Sequence, residues 1–150
     1  GLAEAKLCGD DVGGQDVPCA CGDVLVSDLT LAGDPLLAAP CPGDGLLVRA
    51  TEATQGVTID LRGATLRGGA RGTGIWIVDG GPGGARVVSS GGRAAIEGFR
   101  DGIAARGGRS VARVENVDVR APKRDGLRLH GDGYEVSSVV VQDAGRDGIT

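Results

Sequence analysis

Apolar and polar residues alternate along this chain in short runs. Residues 57–61, Val-Thr-Ile-Asp-Leu, alternate strictly, residues 117–119 repeat the pattern as Val-Asp-Val, and residues 139–141 are three consecutive valines. A period of two places every second side chain on the same face of a β-strand. No stretch keeps the i, i+3, i+4, i+7 spacing of an amphipathic helix for three turns. The pattern therefore predicts many short strands separated by turns.

A glycine followed by an aliphatic residue recurs along the chain. The step occurs five times, at intervals of 29, 28, 24 and 22 residues, and begins at Gly45, Gly74, Gly102, Gly126 and Gly148. Turn-rich insertions at residues 49–55 and 79–84 account for the two longer intervals. A unit of about two dozen residues that contains only strands cannot bury its own apolar face, so it must stack on copies of itself.

Three repeat architectures have units of this kind. A leucine-rich repeat needs a ladder of asparagines, and the chain has a single one, Asn116. A calcium-binding nonapeptide roll needs G-G-x-G-x-D repeats, which are absent. We therefore predict an all-β parallel β-helix, in which each coil adds strands to two or three parallel sheets and equivalent residues stack about 4.8 Å apart.

In three repeats the step is Arg-Asp-Gly-aliphatic, at residues 100–103, 124–127 and 146–149. We expect the glycine to adopt a corner conformation closed to other residues, the aliphatic side chain to point inward, and Arg and Asp to lie outside the corner. A turn role is the simplest account of the aspartates. The alternative is a stacked carboxylate site for calcium, which takes about six to eight oxygens. Its candidate ligands are Asp101, Asp125 and Asp147, and no other cofactor is indicated.

Composition and charge narrow the classes of partner. Glycine accounts for 29 of 150 residues, and the aromatic residues are one Trp, one Tyr and one Phe. The net charge of −4 argues against nucleic acid as a partner, because phosphate binding needs a positive surface. No apolar run approaches the roughly 18 residues of a transmembrane helix. Acidic residues dominate the first 45 positions, whereas arginine is frequent between residues 62 and 128.

The four cysteines, Cys8, Cys19, Cys21 and Cys41, all lie in the first third of the chain. Free buried thiols or a zinc site are the alternatives, but zinc sites need two closely spaced ligand pairs, and this spacing fits them poorly. An even number of cysteines in a Gly- and Pro-rich segment favours two disulfides. Of three connectivities we favour Cys8–Cys19 with Cys21–Cys41, because adjacent loops then close without crossing.

Disulfides indicate an oxidising compartment, so we expect a secreted, cell-surface or periplasmic protein. The composition divides the chain into a cysteine-containing cap, residues 1–42, and β-helix coils, residues 43–150. The first residues lack both an initiator Met and a signal peptide, which indicates processing. The sequence stops just after a new Gly-Ile step. We therefore expect a solenoid truncated at its C-terminus, or end-to-end self-association through open strand edges.

The segment GVTIDLRGATLRGG, residues 56–69, followed by Gly74-Ile75, resembles the repeat opening of secreted bacterial right-handed parallel β-helix proteins of the pectate-lyase-like superfamily. Residues 21–48 are similar to the N-terminal cap of that group. The resemblance implies a right-handed coil with a disulfide-stapled cap. It does not imply an activity, because the superfamily contains lyases, hydrolases, epimerases, adhesins and plain surface proteins. Arg62 and Ala64 replace the usual Asn and His, which removes a possible asparagine stack.

Candidate catalytic residues concentrate in the segment RLHGDGYE, residues 128–135. Arg128 and His130 share one side if the strand continues, and His130, the single histidine, suits acid or base chemistry. Asp132 adds a carboxylate. A histidine in a Gly-rich loop is more often simply solvated, so we expect no catalytic centre, and Arg128, His130 and Asp132 remain the candidates if one exists.

Trp76 is the candidate ligand-binding residue. If Ile75 and Ile77 point inward, Trp76 points outward and offers an aromatic platform to a sugar ring. We therefore expect a non-catalytic secreted or surface scaffold that presents a face to a polysaccharide or a surface protein. The alternative is a carbohydrate-active enzyme, a polysaccharide lyase or epimerase acting on acidic polysaccharide.

Overall fold

The computed structural model describes residues 5–107, 109–130 and 133–150. It is all-β, with 45% strand and 2% helix, and forms a parallel β-helix of about four turns, as the strand pattern predicts. The strands of the described residues are β1 (Leu7–Val12), β2 (Gln15–Val17), β3 (Asp23–Leu25), β4 (Leu29–Thr30), β5 (Leu46–Arg49), β6 (Thr58–Asp60), β7 (Thr65–Arg67), β8 (Thr73–Asp79), β9 (Ala85–Val88), β10 (Ala94–Glu97), β11 (Asp101–Ala105), β12 (Val111–Glu115), β13 (Val117–Arg120), β14 (Leu127–Leu129), β15 (Glu135–Ser137) and β16 (Val140–Gln142).

Three sheets form the sides of the coil. Sheet A has the order β14-β11-β8-β5-β3-β1-β2, sheet B the order β15-β12-β9-β6-β4, and sheet C the order β16-β13-β10-β7. From β5 onward, every third strand enters the same sheet, so each coil visits sheets A, B and C in turn. All strand pairs are parallel except the β1–β2 hairpin.

The core consists of aliphatic columns that run along the axis of the coil. In sheet A, Leu46 pairs with Ile75, Ile75 with Ile103 and Ile103 with Leu127, and all four are fully buried. A further bridge joins Leu127 to Ile149, so the predicted stacking of successive Gly-aliphatic steps is confirmed. Burial of each such side chain contributes about 1.5–3 kcal/mol. Sheets B and C supply equivalent columns, which contain Ile59, Val87, Val114, Leu66, Ile96 and Val119.

The N-terminal region carries both disulfides in the predicted pairing, Cys8–Cys19 and Cys21–Cys41. A 3-10 turn, Pro35–Leu37, and the bridge from Cys41 to Gly68 occupy the place that a sheet C strand takes in later coils. Strands β3 and β4 already pair with β5 and β6. Ladder hydrogen bonds therefore connect the regions on either side of residue 42.

The recurrent glycines other than Gly148 are needed for space rather than for conformation. None of Gly45, Gly74, Gly102, Gly126 and Gly148 is among the residues with positive φ, so the expected special corner conformation is wrong. A Cβ on Gly102 would lie 2.5 Å from the carbonyl oxygen of Gly126 and 2.5 Å from a methyl group of Val119. Successive coils approach too closely at this column for any side chain.

The aspartates of the Arg-Asp-Gly step also differ from expectation. Asp101 and Asp125 are fully buried, although the sequence predicts a place outside the corner, and only Asp147 is exposed. Asp101 Oδ1 accepts the backbone N–H of Asp125 at 3.1 Å, and Asp125 Oδ1 accepts that of Asp147 at 3.3 Å. Each carboxylate thus satisfies an amide at the start of the next coil, where the ladder has not yet begun.

At the corners of the coil outside the column of recurrent glycines, several residues other than glycine adopt the left-handed conformation. Asn116 and Ser138 have φ of 64° and 53° at the corner between sheets B and C, and Ala121 and Asp143 have φ of 49° and 56° at the corner between sheets C and A. Such residues stack from coil to coil, which gives each corner the same turn. No helix of the described residues is long and apolar enough to cross a membrane.

Candidate functional site

Trp76 lies on the outer surface of sheet A. Its neighbours Ile75 and Ile77 are fully buried, whereas Trp76 is 40% exposed. Alternation along β8 directs the two isoleucines into the core and the indole outward. The condition under which the sequence predicts an outward Trp76 is therefore met.

Ladder pairing places five other residues in one row with Trp76. Leu7 pairs with Val24, Val24 with Leu47, Leu47 with Trp76, Trp76 with Ala104 and Ala104 with Arg128. We call this row the Trp76 face, and it consists of Leu7, Val24, Leu47, Trp76, Ala104 and Arg128. Neighbouring members lie about 4.8 Å apart along the coil axis.

One end of the Trp76 face is apolar and the other is basic. Leu7 is 52% exposed, and Val78, the next outward residue after Trp76 on β8, is 40% exposed. At the other end the row finishes with Arg128, and the exposed residues Arg106 and His130 follow the ends of β11 and β14. The indole therefore lies between an apolar surface and a set of hydrogen-bond donors.

Arg128 is held near a buried carboxylate. Its Nη1 lies 3.7 Å from Asp101 Oδ2, and Arg100 Nε lies 3.5 Å from the same oxygen. Asp101 Oδ2 accepts no hydrogen bond within the described part of the chain. Both contacts are ion pairs at long range, so the Arg128 donors remain open to a ligand on the Trp76 face.

The predicted catalytic candidates do not form a group in the described residues. Arg128 is directed toward Asp101, and His130 is exposed and donates its backbone N–H to Ala105 at 3.1 Å. Asp132 lies outside the described residues. The expectation of no catalytic centre, with these three residues as the candidates if one exists, stays a prediction.

Of the candidate calcium ligands, Asp125 is occupied as a hydrogen-bond acceptor through both of its oxygens. Asp125 Oδ1 and Oδ2 accept Nε and Nη2 of Arg146 at 3.0 and 2.7 Å. These bonds lower the pKa of Asp125 below its ordinary value, because they stabilise the charged carboxylate more than burial disfavours it. Within residues 5–107, 109–130 and 133–150, no group of three or more His, Cys, Asp or Glu side chains is arranged to hold a metal ion.

A charged groove lies on sheet C. Arg67, Glu97 and Arg120 follow one another in register and line a groove of about 250 Å³ together with Pro40 and Gly68. Arg120 Nη1 is 3.9 Å from Glu97 Oε2. The sequence pattern did not single out these residues, although the alternation of β7, β10 and β13 shows that all three point outward.

The Trp76 face also depends on the register between strands, and part of the row could be predicted from the sequence. Leu47, Trp76, Ala104 and Arg128 each stand two residues after the recurrent glycine, so alignment of the repeats places them in one row. Leu7 has no such marker, because it precedes the first repeat.

Comparisons with protein-family models, with curated proteins and with solved structures found no match to this chain.

Proposed function

We propose that this protein is a non-catalytic, secreted or surface-located β-helix scaffold that binds glycan chains on the Trp76 face. The observation that carries the proposal is the exposed indole of Trp76, which lies between Leu47 and Ala104 in the outward row of sheet A. An indole offers a large rigid surface at small entropic cost, and it suits the C–H face of a sugar ring.

The surroundings of Trp76 support a ligand with both apolar and polar faces. Leu47 and Val78 extend the apolar surface beside the indole, while Arg128 supplies donors for hydroxyl or carboxylate oxygens. An exposed apolar patch bordered by polar residues is typical of interaction sites. Two disulfides fit a protein that works in an oxidising environment, and the resemblance to pectate-lyase-like β-helix proteins agrees with a glycan ligand.

The test uses the single tryptophan of the chain as its own reporter. A panel of neutral and acidic polysaccharides is titrated while the emission of Trp76 and the mobility in affinity gels are followed. At least one glycan should shift the emission. Trp76→Ala should weaken binding of that glycan in the gel by about two- to twelvefold, because stacking contributes about 0.5–1.5 kcal/mol.

Two variants control this experiment. Trp76→Phe should retain part of the affinity because it keeps an aromatic ring. Val140→Ala alters an exposed apolar residue on sheet C and should leave the affinity unchanged. Glycan binding that survives Trp76→Ala, or a panel with no binding at all, would reject the proposal.

The second candidate is a polysaccharide lyase or epimerase acting on acidic polysaccharide. The observation that favours it is the groove where Arg67 and Arg120 flank Glu97, since such enzymes combine a basic residue with an acid. The same panel decides between the two functions. A lyase forms an unsaturated uronate product, whose ultraviolet absorbance grows with time. If this growth is abolished by Arg120→Ala and retained in Trp76→Ala, the protein is a lyase and the scaffold function is rejected.

A further inference from the structure

The connections from sheet A to sheet B stack into one edge of the molecule. Ala50 N–H donates to Asp79 O and Val57 N–H to Gly80 O, at 2.8 and 3.0 Å, and Gly80 N–H donates to Arg109 O. At the other end, Asp10 N–H donates to Asp28 O at 2.9 Å. We call this surface the loop edge, and its described residues are 10–13, 26–28, 50–57, 79–84, 106–107, 109–110, 130 and 133–134.

Charge changes sign along the loop edge. Its N-terminal end carries Asp10, Asp11, Asp28 and Glu52, which form no ion pair among the described residues. Toward its other end it carries the exposed Arg106 and Arg109 on the connection from β11 to β12, followed by the exposed His130 on the last connection, and Arg109 Nε lies 3.3 Å from Asp79 Oδ1.

The whole chain has the same polarity. Residues 1–60 contain ten acidic and two basic side chains, while residues 61–150 contain ten acidic and fourteen basic ones. In a solenoid, position in the sequence is position along the axis. The charge difference in the sequence is therefore also a difference between the two ends of the coil.

The acidic end of the loop edge also contains a groove that is lined by both polar and apolar side chains. The groove has a volume of about 810 Å³ and lies between the β1–β2 hairpin and residues 52–57. Its apolar lining includes Leu7, Val12, Val26 and Val57, and Leu7 is 52% exposed. Carboxylates and apolar side chains together fit a partner surface that is basic and partly apolar.

We propose that the occupant of this groove is a second copy of the chain, which packs antiparallel along the loop edge in a two-fold dimer. A two-fold axis across the edge sets the acidic end of each copy against the arginine end of the other, so the same attraction occurs twice. A parallel arrangement would place like charges together. Charge complementarity fixes the orientation, and the groove contributes the apolar contact area.

Glu52 and Arg106 allow the orientation to be tested, because neither side chain makes a hydrogen bond or ion pair among the described residues. Sedimentation velocity measures the dimer dissociation constant of the disulfide-bonded chain. Glu52→Arg alone should raise that constant at least tenfold, since two arginines then meet at each contact. Arg106→Glu alone should have the same effect, since two carboxylates then meet.

The two reversals should compensate each other. An equimolar mixture of the Glu52→Arg and Arg106→Glu proteins should form a heterodimer with nearly the affinity of the unaltered chain, and so should the double variant with itself. Recovery in both samples also shows that the single variants fold. Asp16→Arg and Arg71→Glu, which alter exposed residues outside the loop edge, serve as matched controls and should leave the dissociation constant unchanged.

Three outcomes would overturn the proposal. The first is an unaltered chain that remains monomeric at its highest soluble concentration. The second is a dimer that neither charge reversal weakens. A monomer that binds polylysine in a manner abolished by Glu52→Arg would assign the groove to a different cationic partner. Glu52 belongs neither to the Trp76 face nor to the donors beside it, so the effect of Glu52→Arg on the dimer is separable from glycan binding.

Discussion

At the scale of single residues, each position of the Arg-Asp-Gly-aliphatic step has a different physical role. Asp125 accepts the first amide of the following coil, Gly126 leaves room for the backbone above it, and Leu127 enters the core column. Arg146 reaches back and neutralises Asp125 with two hydrogen bonds. The repeat is therefore a device for stacking one coil on the next.

Gly102→Ala should destabilise the protein although alanine suits the backbone conformation at this position. The new Cβ would meet the Gly126 carbonyl and Val119 at 2.5 Å, so the coils must separate locally, at a cost of about 1–3 kcal/mol. Chemical denaturation measures the free energy of unfolding. Gly43→Ala is the matched control, because nothing lies within 4 Å of its added Cβ. An equal effect of the two substitutions would contradict the close-packing explanation.

At the scale of elements, polar side chains connect strands that short ladders alone would hold weakly. Arg93 Nη2 donates to Asp118 Oδ1 at 2.6 Å and to Ser138 O at 2.8 Å, so one side chain joins three successive coils at the corner between sheets B and C. The bond from Arg93 lowers the pKa of Asp118. Charged groups at the corners therefore contribute to stability in a pH-dependent way.

The pair Asp125–Arg146 predicts how stability depends on pH. The folded pKa of Asp125 is lowered, chiefly by the hydrogen bonds from Arg146. The contribution of the pair is therefore present above the unfolded pKa, about 3.9, and is lost as pH falls through the folded value. Arg146→Ala should lower the free energy of unfolding at neutral pH and should make its acid dependence shallower, by up to about one proton equivalent.

Urea denaturation of the unaltered and variant proteins at a series of pH values measures this difference. Arg124→Ala is the control, because Arg124 stands at the same position one coil earlier and its side chain donates no hydrogen bond in the described part of the chain. Its effect should be smaller and should depend less on pH, because Arg124 lowers the pKa of Asp125 only through its charge and less than Arg146 does. Parallel acid limbs for the unaltered protein and Arg146→Ala would show that Arg146 does not set the pKa of Asp125.

At the scale of the whole molecule, sheet A connects the cysteine-containing region to the last coils without a break. Each coil supports only its neighbours, so any loosening of the N-terminal region weakens the first coil directly. The two disulfides lie where the short strands β3 and β4 give the fewest ladder bonds. They compensate for this by restricting the unfolded chain.

Replacement of Cys21 and Cys41 by alanine should lower the free energy of unfolding by about 3 kcal/mol in the loop-entropy model. The bridge spans 20 residues and that between Cys8 and Cys19 spans 11. Loss of the Cys8–Cys19 bridge should therefore lower the free energy of unfolding slightly less, by a difference of about 0.5 kcal/mol. Chemical denaturation of the two double-alanine variants measures the contribution of each bridge, and thermal unfolding with and without reductant measures their combined effect. A melting temperature that reductant does not change would contradict the prediction.

Much of the fold and part of the candidate site followed from the sequence. The spacing of the glycine steps predicted which residues stack, and alternation along β8 placed Trp76 outside once its neighbours were inside. The positions of Asp101 and Asp125 were predicted wrongly, because carboxylates in turns are usually solvated. Their burial depends on amides and guanidinium groups that come from the next coil, about 20 residues away in the chain.

What the sequence determined by itself is the local pattern: short strands, their period of two, the repeat length and the pairing of cysteines in adjacent loops. These depend on interactions between near neighbours or on simple repetition. Only the tertiary structure decided that the glycine column is set by close approach of coils, that Leu7 lies in the row of Trp76, and that the loop edge is acidic at one end and basic at the other. Each of these depends on register between strands, which places residues from separate coils side by side and which no local pattern encodes.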